Sequence, residues 1–165
     1  FHREPLERAL AMIDVNVRAA VELTRRFLPG MVARRRGRIV NVVSTSAFQP
    51  VPWLNVYAAS KAFLLSFTEA LSNELEGTGV KVQALCPGLT ESEFQQVAGT
   101  DKVAFSRTPA MPAEVVAERS LGALERGTLR VIPGFRNRLV VASQRLAPRA
   151  LVRRVAGALF RPSGR

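Results

Sequence analysis

The stretch GRIVNVVSTSAFQPVPWLNVYAASKAFLLSFTEALSNELEGTGVKVQALCPGLTESEF, residues 37–94, decides the fold. It opens on Ile39-Val40-Asn41-Val42-Val43, β-branched and almost continuously apolar, the pattern of a strand covered on both faces and so of a parallel sheet. Ser44 to Asn55 holds Pro50 and Pro52 among small polar residues and reads as a loop. From Val56 to Leu75, Phe63, Phe67, Leu71 and Leu75 recur at four-residue steps, which predicts a helix with Asn55 as its N-cap. Gly77-Thr78-Gly79 punctuates, and Val80 to Leu85 is a second strand ending in Cys86-Pro87-Gly88. Strand, helix, strand is a βαβ rhythm, and the fold class is α/β with a parallel sheet.

Upstream, Leu6, Leu10, Ile13, Val17, Ala20, Val21 and Leu28 recur at helical spacing, so Leu6 to Met31 is a predicted helix with Pro5 in its first turn and Pro29-Gly30 as its end or kink. Downstream, Leu89 to Ala110 is polar and irregular, the character of a lid or binding segment, and Phe94, Phe105 and Trp53 imply an apolar pocket. Pro112 to Arg126 predicts a further helix, Leu129 to Pro133 a short strand, and the residues beyond Gly134 one or two basic amphipathic helices broken at Pro148. Two parts are expected, a catalytic part at 1–134 and a basic helical tail at 135–165.

The chain has 165 residues, 47% of them apolar, enough for one globular domain with a core of its own. One cysteine, Cys86, and one histidine, His2, leave no disulfide framework and no multi-cysteine zinc site, and no run of residues is apolar enough to span a bilayer. A cytoplasmic protein is the expectation, and a first residue of Phe in place of Met points to missing N-terminal sequence. The net charge of +11 is one-sided, because Leu129 to Arg165 holds nine Arg and no Asp or Glu. Two aromatics there, Phe135 and Phe160, make a thin stacking platform, so nucleic acid is not expected. Leu146, Leu151, Val152, Val155, Leu159 and Phe160 beside Arg149, Arg153, Arg154 and Arg161 have the composition of an interfacial helix, which points to peripheral contact with an anionic membrane surface. The alternative is that this apolar face packs on the body of the domain or on a second subunit.

Tyr57, the one tyrosine, stands four residues before Lys61, so the two share a helix face. A phenol is a poor acid-base group at neutral pH, and an ammonium one turn away is expected to lower its pKa. The pair alone is a weak signal. Its context strengthens it: Ser44 ends a parallel strand, where open α/β sheets place their ligand crevice, and Pro87-Gly88 ends the next strand at the same edge.

These residues resemble the short-chain dehydrogenase/reductases. Residues 37–94 are similar to that family's catalytic half, with Ser44 thirteen residues before Tyr57, and MIDVNVRAA is similar to its segment bearing a catalytic Asn. The resemblance implies a Rossmann-type doubly wound parallel sheet, of which this chain holds the C-terminal part, with the basic helical extension behind it. It implies Tyr57 as general acid/base, Ser44 orienting a substrate carbonyl, Lys61 also contacting the nicotinamide ribose, and Asn16 holding a water beside Lys61. Pro87 and Gly88 would contact the nicotinamide, and Ser92 would hydrogen-bond its carboxamide. NAD or NADP is the implied cofactor, a small apolar alcohol or ketone the implied substrate, and a homodimer or homotetramer paired through Leu6–Met31 and Tyr57–Leu75, centred on Phe67 and Leu71, the implied assembly. The family's glycine-rich pyrophosphate turn does not occur in these 165 residues. The chain is therefore expected to be part of a longer enzyme, the alternative being a catalytically silent module acting at partners or membranes.

Overall fold

The structure, a computed structural model, describes residues 1–2, 4–93, 103, 105 and 108–161. Three parallel strands, β1 (Gly37–Val42), β2 (Val80–Leu85) and β3 (Arg130–Val131), form a sheet in the order β1-β2-β3. Their register runs from Gly37 opposite Val80 to Val42 opposite Leu85, with Ala84 and Leu85 opposite Arg130 and Val131. Among the described residues the α-helices are α1 (Leu6–Ile13), α2 (Ala19–Ala33), α3 (Asn55–Glu74), α4 (Ala113–Glu125), α5 (Phe135–Leu146) and α6 (Arg149–Leu159).

Strand β2 is the covered one: Val80, Val82, Gln83, Ala84 and Leu85 are all buried and only Lys81 reaches solvent. Its buried Gln83 accepts from Ser120 Oγ (2.6 Å) and donates to Thr128 O (3.2 Å), so the amide costs little to enclose. Strand β1 departs from its sequence reading. Val42 is 54% exposed while its neighbour Asn41 is buried, because β1 is an edge strand among the described residues and only one face is fully covered. Asn41 Nδ2 donates to Thr68 Oγ1 (2.8 Å), which donates to Leu64 O (2.6 Å), a polar clasp between β1 and α3.

The predicted N-terminal helix is interrupted by a π-helical turn, Asp14–Arg18, and it runs through Pro29 to Ala33. Pro29 lies near its C-terminal end and removes one amide, while Leu28, Met31 and Val32 stay packed on Leu71, Leu75, Val80 and Val82. Ser44–Asn55 is not all loop, since Thr45–Phe48 forms a 3₁₀ turn capped by the Ser44 hydroxyl, which accepts from Ser46 N (3.1 Å). The N-cap of α3 is Leu54, with Asn55 its first helical residue. Strand β3 has two residues where five were expected, and the basic tail forms two helices with Pro148 as N-cap of the second. Phe94 and most of the Leu89–Ala110 segment lie outside the described residues.

Two turns meet at the N-terminal end of the sheet. Arg35, between α2 and β1, has φ 51°, and Gly79, before β2, has φ +85° and packs directly on the Arg35 carbonyl. A Cβ on Gly79 would lie 2.1 Å from that oxygen, so only glycine fits the crossing.

The tail helices fold back on the domain. Val141, Ala156 and Phe160 are buried, and Trp53 Nε1 donates to Gly157 O (3.2 Å) across 104 residues of sequence. Leu146, Leu151, Val155 and Leu159 stay exposed. No helix among the described residues is long and apolar enough to cross a membrane.

Candidate active site

At the C-terminal ends of the strands the chain leaves the sheet in two turns that are tied together. Val43 N donates to Leu85 O (2.7 Å) and Thr45 N to Pro87 O (2.9 Å), which carries the β1–β2 pairing past the strands and sets Ser44 beside Pro87-Gly88. Helix α3 then returns Tyr57 and Lys61 to the same edge. A cavity of about 630 Å³ opens there, and Asn16, Ser44, Tyr57, Lys61, Pro87, Gly88 and Ser92 all line it. Every site residue expected from the sequence thus faces one space, of a size suited to small ligands.

Tyr57 is half-buried, and its phenol is hydrogen-bonded to Ser44. Burial pushes it above the ordinary phenol value and the Ser44 contact opposes that shift. This is the reverse of the direction expected from the Tyr-Lys spacing, in which Lys61 lowers it. Lys61 Nζ sits 5.7 Å from the centroid of the Tyr57 ring and is directed elsewhere, donating to Val42 O (2.9 Å) and to Asn16 Oδ1 (3.5 Å). Its own pKa is lowered by burial. Cys86, at 0% exposed, is pushed up to about 12 by burial and is a packing residue.

Asn16 owes its place to the π-helical turn, a distortion common at functional sites. Its Nδ2 donates to Ser60 Oγ (3.1 Å), and Ser60 donates to Tyr57 O (2.7 Å), so a serine of α3 holds Asn16 with its carbonyl oxygen toward Lys61. Sequence reasoning misses Ser60. Its position, one residue before Lys61 and three after Tyr57, is the available signal. Ser92 is on the exposed rim, its hydroxyl donating to Thr90 O (3.5 Å). Gly88 lies so close to α5 that a Cβ would meet Asn137 Oδ1 at 2.5 Å.

Most of the remaining lining is apolar. Phe105 and Phe160 line it, stacked with centroids 4.7 Å apart, and Leu54, Leu89 and Val116 complete it. Phe105 was expected there. Trp53 was too, but it is not among the lining residues; its ring N–H holds the end of the helix that leads into Phe160 instead.

A profile of the short chain dehydrogenase family matches residues 1–103, well over half of the chain. The chain belongs to the short chain dehydrogenase family. Among short chain dehydrogenase relatives, it is 36% identical to the ketoacyl reductase HetN of Nostoc over 135 residues, 80% of this chain and 46% of that protein. It is 38% identical to the NADP-dependent 3-hydroxy acid dehydrogenase YdfG of Escherichia coli K12 over 123 residues, 71% of this chain and 50% of that one. The short-chain dehydrogenase of Sphingobium yanoikuyae, solved in complex with NADPH, superposes with a TM-score of 0.75 at 30% identity, covering 88% of this chain and 58% of that one. The chain spans about half the length of the curated relatives it matches. Its three-stranded sheet and helices are part of the family's Rossmann-type α/β fold.

The residues present fit the nicotinamide end of the family's cofactor. The Lys61 ammonium and the Ser92 hydroxyl line the cavity together with Pro87 and Gly88, and the strand-end turns at Ser44 and Pro87 are fixed to each other by backbone bonds. Pyrophosphate binding is not assigned to any residue of this chain.

Proposed function

We propose that this chain carries the catalytic part of an NAD(P)-dependent oxidoreductase acting on an alcohol or ketone with an apolar body. The observation that carries the reading is the meeting of Asn16, Ser44, Tyr57 and Lys61 on one cavity, with the phenol of Tyr57 hydrogen-bonded to Ser44. The alternative, a catalytically silent module, gives no reason for four separated polar residues to converge. NADP is favoured over NAD because YdfG is named NADP-dependent and the Sphingobium enzyme was solved with NADPH.

In this reading Tyr57 and Ser44 hold the substrate oxygen between two hydroxyls, and Tyr57 moves the proton. Lys61 and Ser92 bind the nicotinamide side, with Pro87-Gly88 as the backbone surface below it. When bound, the reduced cofactor supplies a hydride to the carbonyl carbon. Asn16 steadies the Lys61 ammonium through its Oδ1, and Phe105 and Phe160 exclude water from the apolar end.

The direction of the Tyr57 shift gives a test. A phenol held above its usual value is protonated at neutral pH, ready to donate but not to accept. Ketone reduction by the complete protein, followed by NADPH absorbance, is expected to be level across neutral pH and to fall in alkali as Tyr57 loses its proton. Alcohol oxidation needs the phenolate and is expected to rise from neutral to alkaline pH. No reduction of any apolar ketone would overturn the functional reading, and an oxidation rate flat from neutral to alkaline pH would remove Tyr57 as the base.

Self-association belongs to the same proposal, with one change of surface. Leu71 is 7% exposed and sits in the protein's own core, and the half-buried Phe67 packs against that core, so we centre the pairing on exposed neighbours instead. The exposed apolar residues on these helices include Leu6, Leu10, Ile13, Leu23 and Phe27 of α1 and α2 and Phe63 of α3. Sedimentation of the complete protein at micromolar concentration is expected to show a dimer or tetramer, and a monomer would remove this part.

A further inference from the structure

The tail and the helix before it build a second concavity, away from the one that holds Tyr57. It measures about 770 Å³ and lies between α4, β3 and α5. Arg119 faces it from α4 and Arg126 from the end of that helix, Arg130 from β3, and Arg138 and Arg145 from α5. Each helix presents its two arginines seven residues apart, two turns or roughly 10 Å along the axis, so both walls carry a pair on one face. Among the described residues, no Asp or Glu lines the space. Among the described residues, Arg130 alone of the five is in an ion pair, with Glu69 at 3.4 Å. Like charges gathered this way repel one another and raise the local concentration of anions.

A stripe beside the arginines says which anion. On α5, Phe135, Leu139, Ala142 and Leu146 follow each other at helical spacing next to Arg138 and Arg145, and Phe135, Leu139 and Leu146 are 71%, 53% and 89% exposed. The one buried residue of α5, Val141, lines the groove with Arg138 and Arg145, so the exposed stripe is not the face by which α5 packs. A free phosphate compound would use the arginines and leave this stripe in water. Nucleic acid would want aromatic groups in the groove, and none of the described residues supplies one there. A second copy meeting this groove across a two-fold axis would set arginine against arginine. A bilayer uses both features, headgroup phosphates on the guanidinium groups and the stripe in the interfacial layer.

We infer that the α4–α5 groove binds the anionic headgroups of a phospholipid membrane surface and docks the protein there. The membrane contact expected from the tail sequence is thereby centred on a groove that sequence alone does not display. The inference is independent of the reaction proposed above, since no residue of the groove lines the cavity of Tyr57.

The test is co-sedimentation of the complete protein with vesicles of phosphatidylcholine, with and without phosphatidylglycerol. Binding is expected only to the mixed vesicles and is expected to weaken with salt. Replacing Arg119, Arg138 and Arg145 by Gln should reduce partition by about a hundredfold, at about fivefold for each arginine near the surface. Lysine at the same three positions should restore most of the binding, which separates lost charge from lost folding. The same charge change on α6, Arg149→Gln with Arg153→Gln and Arg154→Gln, should cost far less. Equal binding to neutral and mixed vesicles, an unaffected groove variant, or an equal loss in the α6 variant would each overturn the inference. Capture of an oligonucleotide or of inorganic polyphosphate without vesicle binding would overturn it too.

Discussion

Tyr57→Phe is expected to lower turnover of the complete enzyme by about 10²–10⁴, the range over which positioned acid-base groups act. The change removes one oxygen. The ring that lies beside Lys61 remains, and so do the Lys61 bonds to Val42 O and Asn16, so folding and cofactor affinity should be nearly unaltered. A fluorescence titration with NADPH, run beside the turnover assay, separates the two effects. Ser44→Ala is expected to be milder in turnover, and it also removes the cap of the Thr45–Phe48 turn. Wild-type turnover in Tyr57→Phe would end the assignment of Tyr57 as the proton-transfer group.

Gly79→Ala is the change expected to cost most in stability, about 4 kcal/mol or more, at the upper end of single substitutions. Part of that is conformational: a side chain at a left-handed position costs roughly 1–2 kcal/mol. The larger part is steric, since the new Cβ would lie 2.1 Å from Arg35 O and 2.8 Å from Arg35 C, backbone atoms with no rotamer to escape into. Moving them would disturb the first pair of the β1–β2 ladder, Gly37 with Val80. Gly77 supplies the control, for it has φ +76° and open space for 4 Å around the position a Cβ would take, so Gly77→Ala should show the conformational part alone. Urea unfolding of both variants of the complete protein measures the difference, and equal midpoints would refute the steric argument.

The alternation of apolar runs and glycine turns in residues 37–94 makes β1, α3 and β2 legible, because each is written in a local period. Tyr57, Lys61 and Ser44 are partly legible in local pattern, through the four-residue Tyr-Lys spacing and the strand end at Ser44, while their roles and the choice of Asn16 come through family resemblance. Asn16 shows why: on sequence it is a mid-helix asparagine, and what turns it toward Lys61 is a π-helical turn that no spacing announces. Ser60 is hidden for a related reason, because its partner lies 44 residues away. The direction of the Tyr57 shift escapes the sequence because burial is a property of the packed site, while the Tyr-Lys spacing carries only the charge. The arginine groove is illegible for the same reason of distance, its walls coming from helices on either side of β3.

Phe160 is buried in the wall of the Tyr57 cavity and stacked on Phe105, and the helix before it is fastened to Trp53 from 104 residues downstream. Chains emerge from the ribosome N-terminus first, at roughly 5–20 residues per second. Asn16, Ser44, Tyr57 and Lys61 are therefore made well before the ring that closes their pocket. A nascent chain holding the whole polar set still has an open site, wet at its apolar end. The Phe105–Phe160 wall waits for synthesis to pass α6, which makes that wall a mark of a chain translated through the helix.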